Sequence, residues 1–115
     1  MFKFETEQKV CEVGGVKFGG QPGAYPTAVC SSIFQKGDKV FTGKRKEGFD
    51  EKRAEELLKI QERLTEETGI PGMADIVANT GQEFETFIDF VASVSNMPFC
   101  IDAWVMKPKL AGAAY

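Results

Sequence analysis

The 115-residue sequence contains no histidine, and this absence excludes several kinds of site at once. Histidine-dependent catalytic triads, HExxH zinc sites and a histidine general base all need the missing imidazole. We therefore expect any acid–base chemistry within these residues to use carboxylates, water or tyrosine.

Long apolar runs are absent too. No run approaches the roughly 20 residues of a membrane span, and the amino terminus lacks the apolar core of a signal peptide.

Cysteine is scarce. Cys11, Cys30 and Cys100 form no CxxC pair, and three thiols cannot all pair with one another. Free thiols in a reducing cytosol are the best interpretation of this pattern. Cys30 and Cys100 fall inside predicted strands, where a cysteine usually packs as a small buried hydrophobe. The sequence therefore predicts no metal site.

Positive charge is also limited. The net charge of −3 gives no electrostatic reason to expect a nucleic-acid partner. The basic cluster Lys44-Arg45-Lys46 lies within a polar, glycine-containing stretch over residues 35–49. We interpret this stretch as a long loop and the cluster as solvated.

The remaining pattern predicts an α/β fold. Residues 8–20 read as a β-hairpin, because alternating polar and apolar residues flank the two-residue turn Gly14-Gly15. Three strands then alternate with helical segments. The predicted order is strand 27–34, helix 51–68, strand 73–78, a helix that begins after Thr80, strand 98–104 and the start of a helix at 107–115.

This alternation indicates parallel strands with right-handed crossovers. Three strands alone would leave both edges of the sheet open, whereas a closed eight-stranded barrel needs about 250 residues. We therefore predict the first part of a (β/α)8 TIM barrel, with an N-terminal β-hairpin and about three βα units. The hairpin is expected to cap the bottom of the barrel.

Two of the predicted strands deliver an aspartate near their carboxyl ends, Asp75 and Asp102. Parallel strands present these ends at the same edge, where sheets and barrels of this class place their chemistry. An aspartate here can also be a helix N-cap or a loop anchor. Thr80 and Glu83 already form a capping box after Asp75, so the N-cap explanation is stronger for Asp102. Asn79, beside Thr80, offers an amide donor and acceptor.

Such groups at a barrel mouth suit a flat heterocycle with amide-like and guanidine-like edges. A pterin ring, for example, presents neighbouring N–H donors that a carboxylate accepts bidentately. The residue pattern alone would serve a metal ion or a sugar equally well.

Several short segments of the sequence are distinctive, and the Gly19-Gly20-Gln21-Pro22-Gly23 block is the most specific of them. The others are Phe2-Lys3-Phe4, Glu7-Gln8-Lys9-Val10, Val13-Gly14-Gly15-Val16-Lys17, Tyr25-Pro26-Thr27, Ser32-Ile33-Phe34, Lys36-Gly37-Asp38, Ile88-Asp89-Phe90-Val91 and Ile101-Asp102. Together these segments resemble the H-subunit family of tetrahydromethanopterin S-methyltransferase, the energy-conserving methyltransferase of methanogenic archaea.

The resemblance implies a pterin-binding TIM barrel, of which residues 1–115 would be the N-terminal portion, truncated after the third unit. A hairpin cap would occupy residues 1–23 and βα units residues 27–115. The implied reaction moves the methyl group of N5-methyl-tetrahydromethanopterin to the cobalt of a corrinoid on a partner subunit, and coenzyme M finally receives it. The resemblance also implies a cytoplasmic protein that associates peripherally with membrane subunits of a multi-subunit complex.

Asp75 and Asp102 match the acidic pterin-binding positions of such barrels, and Asn79 is included as their neighbour at the mouth. No catalytic residue is identified. Two alternatives stay open: a methyl-tetrahydrofolate:corrinoid methyltransferase homologue, and a non-catalytic truncated assembly module. We expect the 115-residue chain to be inactive by itself, because the later strands carry the remaining pterin contacts of such barrels.

Overall fold

The computed structural model describes residues 1–41 and 48–115. It has an α/β fold, as predicted, with a two-stranded hairpin and a separate three-stranded parallel sheet. The predicted loop 35–49 contains neither helix nor strand in its described part, and the basic cluster at 44–46 lies outside the described residues. The elements are β1 Val10–Val13, β2 Val16–Gly19, β3 Val29–Ser32, α1 Glu51–Thr68, β4 Gly72–Val77, α2 Gly81–Val94, β5 Phe99–Asp102 and α3 Met106–Ala114.

The predicted hairpin is confirmed: β1 and β2 pair in antiparallel fashion around Gly14 and Gly15. Both glycines have positive φ angles, 55° and 78°, as a tight hairpin turn requires. A Cβ atom on Gly14 would lie 3.0 Å from the Pro98 ring, so the turn packs closely against the segment that enters β5. The hairpin thus lies at the amino end of the parallel sheet.

The parallel sheet has the strand order β3-β4-β5. Its three strands correspond to the three predicted ones, but β3 and β5, with four residues each, are shorter than predicted. The intervening α1 and α2 make the crossovers that parallel neighbours require.

Helix α1 begins and ends at the predicted residues, and α2 begins after Thr80, as predicted. The Asp50 side chain accepts a hydrogen bond from the Arg53 N–H at 3.0 Å, and Gly69, with φ at 70°, ends α1 in the left-handed conformation. Thr80 Oγ1 accepts from the Glu83 N–H at 3.1 Å and caps α2. The predicted third helix is present as α3, which begins at Met106.

The core lies between the sheet and its helices. Ala74, Ile76 and Ala78 are almost fully buried and belong to the same cluster as Leu58 of α1 and Phe84 of α2. Alternate residues of β4 therefore face the helices. Leu64 of α1 is 48% exposed and lines a groove between α1 and β3.

Within the two described ranges, no helix is both long and apolar enough to cross a membrane.

Candidate functional site

The second face of the parallel sheet carries polar and thiol side chains. Side chains alternate between the two faces of a strand, so the neighbours of the helix-facing residues point the other way. This second face, which we call the polar face, carries Cys30 and Ser32 of β3, Asp75 of β4, and Cys100 and Asp102 of β5, together with the apolar residues Met73 and Val77 of β4.

The register brings these residues together across the three strands. Asp75 lies in the central strand, opposite Ser32 on one side and Cys100 on the other. Asp102 is the last residue of β5 and pairs with Val77, so it lies two positions nearer the carboxyl edge than Asp75. Asp75 and Asp102 thus share a face, although Asp75 precedes the end of its strand by two residues.

Asp75 is half-buried and held by a thiol. Cys100 Sγ donates a hydrogen bond to Asp75 Oδ1 at 3.1 Å, and Cys30 Sγ lies 3.5 Å from Cys100 Sγ. Burial raises the pKa of the Cys100 thiol, and the hydrogen bond to Asp75 raises it further. Burial also raises the pKa of Cys30, although the contact with Cys100 acts in the opposite direction. Both thiols are therefore protonated at neutral pH.

This arrangement corrects the expectation that Cys30 and Cys100 are small buried hydrophobes. Cys30 is exposed and Cys100 is partly exposed. Both thiols belong to the polar face rather than the helix-packed face. The sequence does not reveal which face each cysteine occupies, because parallel strands are nearly continuous apolar runs in which residues on the two faces are of similar type.

Asp102 is exposed and forms an ion pair with Lys109 of α3, with Oδ1 and Nζ 3.4 Å apart. It does not cap α3, because the N-cap position is occupied by Val105, which makes no side-chain capping bond. The N-cap interpretation of Asp102 is therefore wrong, and its carboxylate faces solvent beside a cation.

Asn79 is exposed and lies two residues past the end of β4, in the loop to α2. Its backbone N–H donates to Glu83 Oε2 at 2.7 Å, so the carboxylate partner of the capping box binds Asn79 instead of Thr80. Asn79 is thus beside the carboxyl edge of the sheet but not on the polar face itself.

Ser32 is a candidate that the sequence analysis did not select. Among the described residues, its Oγ is the buried side-chain oxygen without a hydrogen-bond partner. A buried hydroxyl without a partner is unusual in a folded protein and marks a place where a ligand atom could bind. The sequence contained one clue to Ser32, because it lies near the carboxyl end of its strand, where the next predicted strand has Asp75.

A groove of about 680 Å³ runs between β3 and α1, on the helix side of the sheet. Its floor is largely apolar, and Gln61 at its edge accepts a hydrogen bond from Ser31 at 2.6 Å and donates one to the Met73 carbonyl at 2.9 Å. Ser31 therefore faces the groove and is separate from the polar face. The apolar lining residues include Val29, Leu57, Ile60, Leu64 and Ile70.

Comparison with known proteins gives one consistent family. The family model of the tetrahydromethanopterin S-methyltransferase MtrH subunit matches residues 6–115. The tetrahydromethanopterin S-methyltransferase H subunit of Methanopyrus kandleri is 42% identical over 95% of this chain and 34% of its own length. The H subunits of Methanothermobacter thermautotrophicus and Methanosarcina acetivorans are 36% and 41% identical over the whole chain and 37% of their own lengths.

The chain thus spans about a third of the length of these relatives. The family model covers nearly all of its residues, including all three strands of the parallel sheet and the polar face. The resemblance seen in the sequence is confirmed by this match, and the chain belongs to the MtrH family of tetrahydromethanopterin S-methyltransferase subunits.

Proposed function

We propose that the chain is part of a methyltransferase that moves the methyl group of N5-methyl-tetrahydromethanopterin to a corrinoid cobalt on a partner subunit, within methyl transfer to coenzyme M. Membership of the MtrH family supports this activity. The structural observation that carries the proposal is the placement of Asp75 and Asp102 on one face of neighbouring parallel strands. The corrinoid belongs to the partner and is a substrate for this chain.

The polar face suits one edge of a pterin ring. Asp75 and Asp102 would accept hydrogen bonds from neighbouring ring N–H donors, as carboxylates do in charge-assisted, often bidentate, contacts. The Cys100 thiol fixes one oxygen of Asp75 and leaves the second oxygen for a ligand. Ser32 Oγ, which has no hydrogen-bond partner in the described part of the chain, and the Asn79 amide at the sheet edge would supply additional polar contacts.

The reaction requires help at the pterin nitrogen. A tertiary amine leaves poorly, so N5 must gain a proton or a hydrogen bond as its bond to the methyl carbon breaks. In the proposed site the residues of this chain orient the ring, and a water held by the carboxylates provides the hydrogen bond. Lys109 offsets the negative charge that two neighbouring aspartates create at the mouth.

The helices support an interpretation as one part of a barrel wall. The buried residues of β4 pack against α1 and α2, and α3 packs against Phe84 of α2 through Gly112. A parallel sheet with its helices on one side and functional groups at its carboxyl edge is typical of a TIM barrel. We propose that these are the first three of its eight units. By the same family relationship, the complete protein would be cytoplasmic and peripheral to the membrane subunits of its complex.

A chimera tests the activity. The chain would replace the matched third of the Methanopyrus kandleri relative. Methyl transfer from methyl-tetrahydromethanopterin to cob(I)alamin would then be followed by the loss of cob(I)alamin absorbance. We expect Asp75→Asn and Asp102→Asn to abolish transfer. Asp89→Asn, a matched change at an exposed position of α2, should leave the rate unchanged.

Three outcomes would contradict the proposal. Unchanged rates in the Asp75→Asn and Asp102→Asn chimeras would show that these carboxylates do not bind the substrate. Transfer from methyl-tetrahydrofolate but not from methyl-tetrahydromethanopterin would identify a folate-dependent homologue. A folded chimera that transfers no methyl group from either donor would favour an assembly module over a methyltransferase.

A further inference from the structure

Three potential metal ligands converge on the polar face, one from each strand of the parallel sheet. We propose that Cys30 Sγ, Cys100 Sγ and one carboxylate oxygen of Asp75 form a Zn²⁺ site with an open fourth position. These three atoms lie within 4.8 Å of one another. The site shares Asp75 with the pterin proposal, but it depends on the two thiols and can be measured without any pterin.

The distances suit a tetrahedral ion. Binding of the ion displaces the two thiol protons to solvent. At a Zn–S distance of about 2.3 Å, two thiolates in tetrahedral positions lie about 3.8 Å apart. Cys30 Sγ and Cys100 Sγ are 3.5 Å apart, so they need to separate by only a few tenths of an ångström. Asp75 Oδ1 lies 3.1 Å from Cys100 Sγ, where a small outward shift would admit the ion between the two atoms.

The strand order argues against a disulfide between the same two thiols. β4 separates β3 from β5, so Cys30 and Cys100 lie on strands that are not neighbours. A disulfide needs Cα atoms closer than about 7 Å. The two side chains therefore reach toward each other across β4, an arrangement that suits a shared ion better than a covalent bond.

The ligand chemistry favours zinc. Two sulfur ligands select a soft or borderline metal over magnesium or calcium, and a carboxylate oxygen is an accepted third ligand of zinc. Catalytic zinc sites, unlike structural ones, have three protein ligands and a fourth coordination position that is open to water or substrate. Cys30 is exposed, so an ion can reach the cluster from solvent.

Metal titration of the 115-residue chain tests the site. Reduced, chelator-treated protein would be titrated with Zn²⁺ against a chromophoric chelator. A parallel titration with Co²⁺ would reveal a thiolate-to-cobalt charge-transfer band. We expect one ion per chain. Because loss of a second-sphere partner already weakens metal binding by about 10–100-fold, Cys30→Ser, Cys100→Ser and Asp75→Asn should each weaken it at least tenfold.

Cys11→Ser is the matched control, because Cys11 is an exposed thiol of the hairpin. It should bind Zn²⁺ as tightly as the wild type, and circular dichroism should show that every variant is folded. Asp102→Asn should also retain Zn²⁺, although the proposed pterin site would lose a contact. Failure of the zinc site and failure of the pterin site are therefore distinguishable.

Three results would overturn the proposal. The first is absence of saturable Zn²⁺ binding by the folded wild-type chain. The second is a Co²⁺ spectrum without the charge-transfer band. The third is a mass two daltons below that of the reduced chain, with Cys30 and Cys100 joined in a disulfide.

Discussion

Replacing Gly112 by alanine tests how α3 is held against α2. Gly112 is buried, and a Cβ atom at this position would lie 2.8 Å from Cγ of the Phe84 ring and 2.9 Å from Cδ2. Real Cβ atoms essentially never approach other atoms this closely. Phe84 is fully buried in the core, so its ring cannot move aside without disturbing its neighbours. α3 must therefore shift away from α2.

Two opposing effects decide the sign of the change in stability. Alanine is favoured over glycine in a helix interior by about 0.8–1.0 kcal/mol. Adding a methyl group to a well-packed interface costs about 1–3 kcal/mol. Because the contact involves a rigid buried ring, we expect the steric cost to prevail and Gly112→Ala to lower the free energy of unfolding by about 1 kcal/mol.

Urea unfolding followed by circular dichroism measures the effect. Leu110→Ala, at a position of α3 that is 60% exposed, is the control and should be nearly neutral. In a Phe84→Leu background the ring is absent, so the further change Gly112→Ala should become neutral or stabilising. Helix propensity alone predicts that Gly112→Ala stabilises the wild-type protein by about 1 kcal/mol. That result would show that the Phe84 ring does not oppose the added methyl group.

Two further predictions concern the cap of α2 and the thiols. Thr80→Ala should lower the free energy of unfolding by about 1 kcal/mol, because the Glu83 N–H loses its acceptor; Thr86→Ala, within the same helix, should cost clearly less, and equal losses would contradict the capping role. With a chelator present, iodoacetamide at neutral pH should label exposed Cys11 before Cys100, because burial and the hydrogen bond to Asp75 raise the pKa of the Cys100 thiol. Asp75→Asn should lower that pKa and speed labelling of Cys100, since each pKa unit changes the thiolate fraction about tenfold. Peptide masses would give the labelling rate of each cysteine. An equal rate for Cys100 in the wild type and in Asp75→Asn would contradict the role of this hydrogen bond.

The helices could be predicted from the sequence because their limits depend on local chemistry. Asp50 and Thr80 each accept a hydrogen bond from an N–H three residues later, and Gly69 takes the left-handed conformation that ends α1. The hairpin is equally local, because two adjacent glycines supply its turn. Strand limits were less accurate, since pairing with neighbours rather than residue type decides where a strand ends.

The candidate site could be predicted only in part. Parallel connections implied that Asp75 and Asp102 approach the same edge, and their common face follows from the register. The contact between Cys30 and Cys100 could not be foreseen, because it spans two strands and 70 residues of chain. The ion pair of Asp102 with Lys109 was missed for a similar reason, since it depends on the direction in which α3 leaves β5.

The proposed site combines two functions that share one carboxylate. Asp75 is the central residue of the polar face, with a serine hydroxyl on one side and a thiol on the other. Pterin binding would use this carboxylate together with Asp102, and the proposed zinc site would use it together with the two thiols. A bound ion would therefore compete with the ring for Asp75, or orient the carboxylate toward it.

Pterin affinity reports directly on whether Asp75 and Asp102 bind the methyl donor. Calorimetric titration of the chimera with tetrahydromethanopterin would compare wild type, Asp75→Asn, Asp102→Asn and the control Asp89→Asn. A hydrogen bond to a charged group contributes about 1.5–3 kcal/mol, so each of the first two changes should weaken binding by about 10–150-fold. We expect this loss together with wild-type affinity in Asp89→Asn, whereas wild-type affinity in Asp75→Asn and Asp102→Asn would contradict the proposed site.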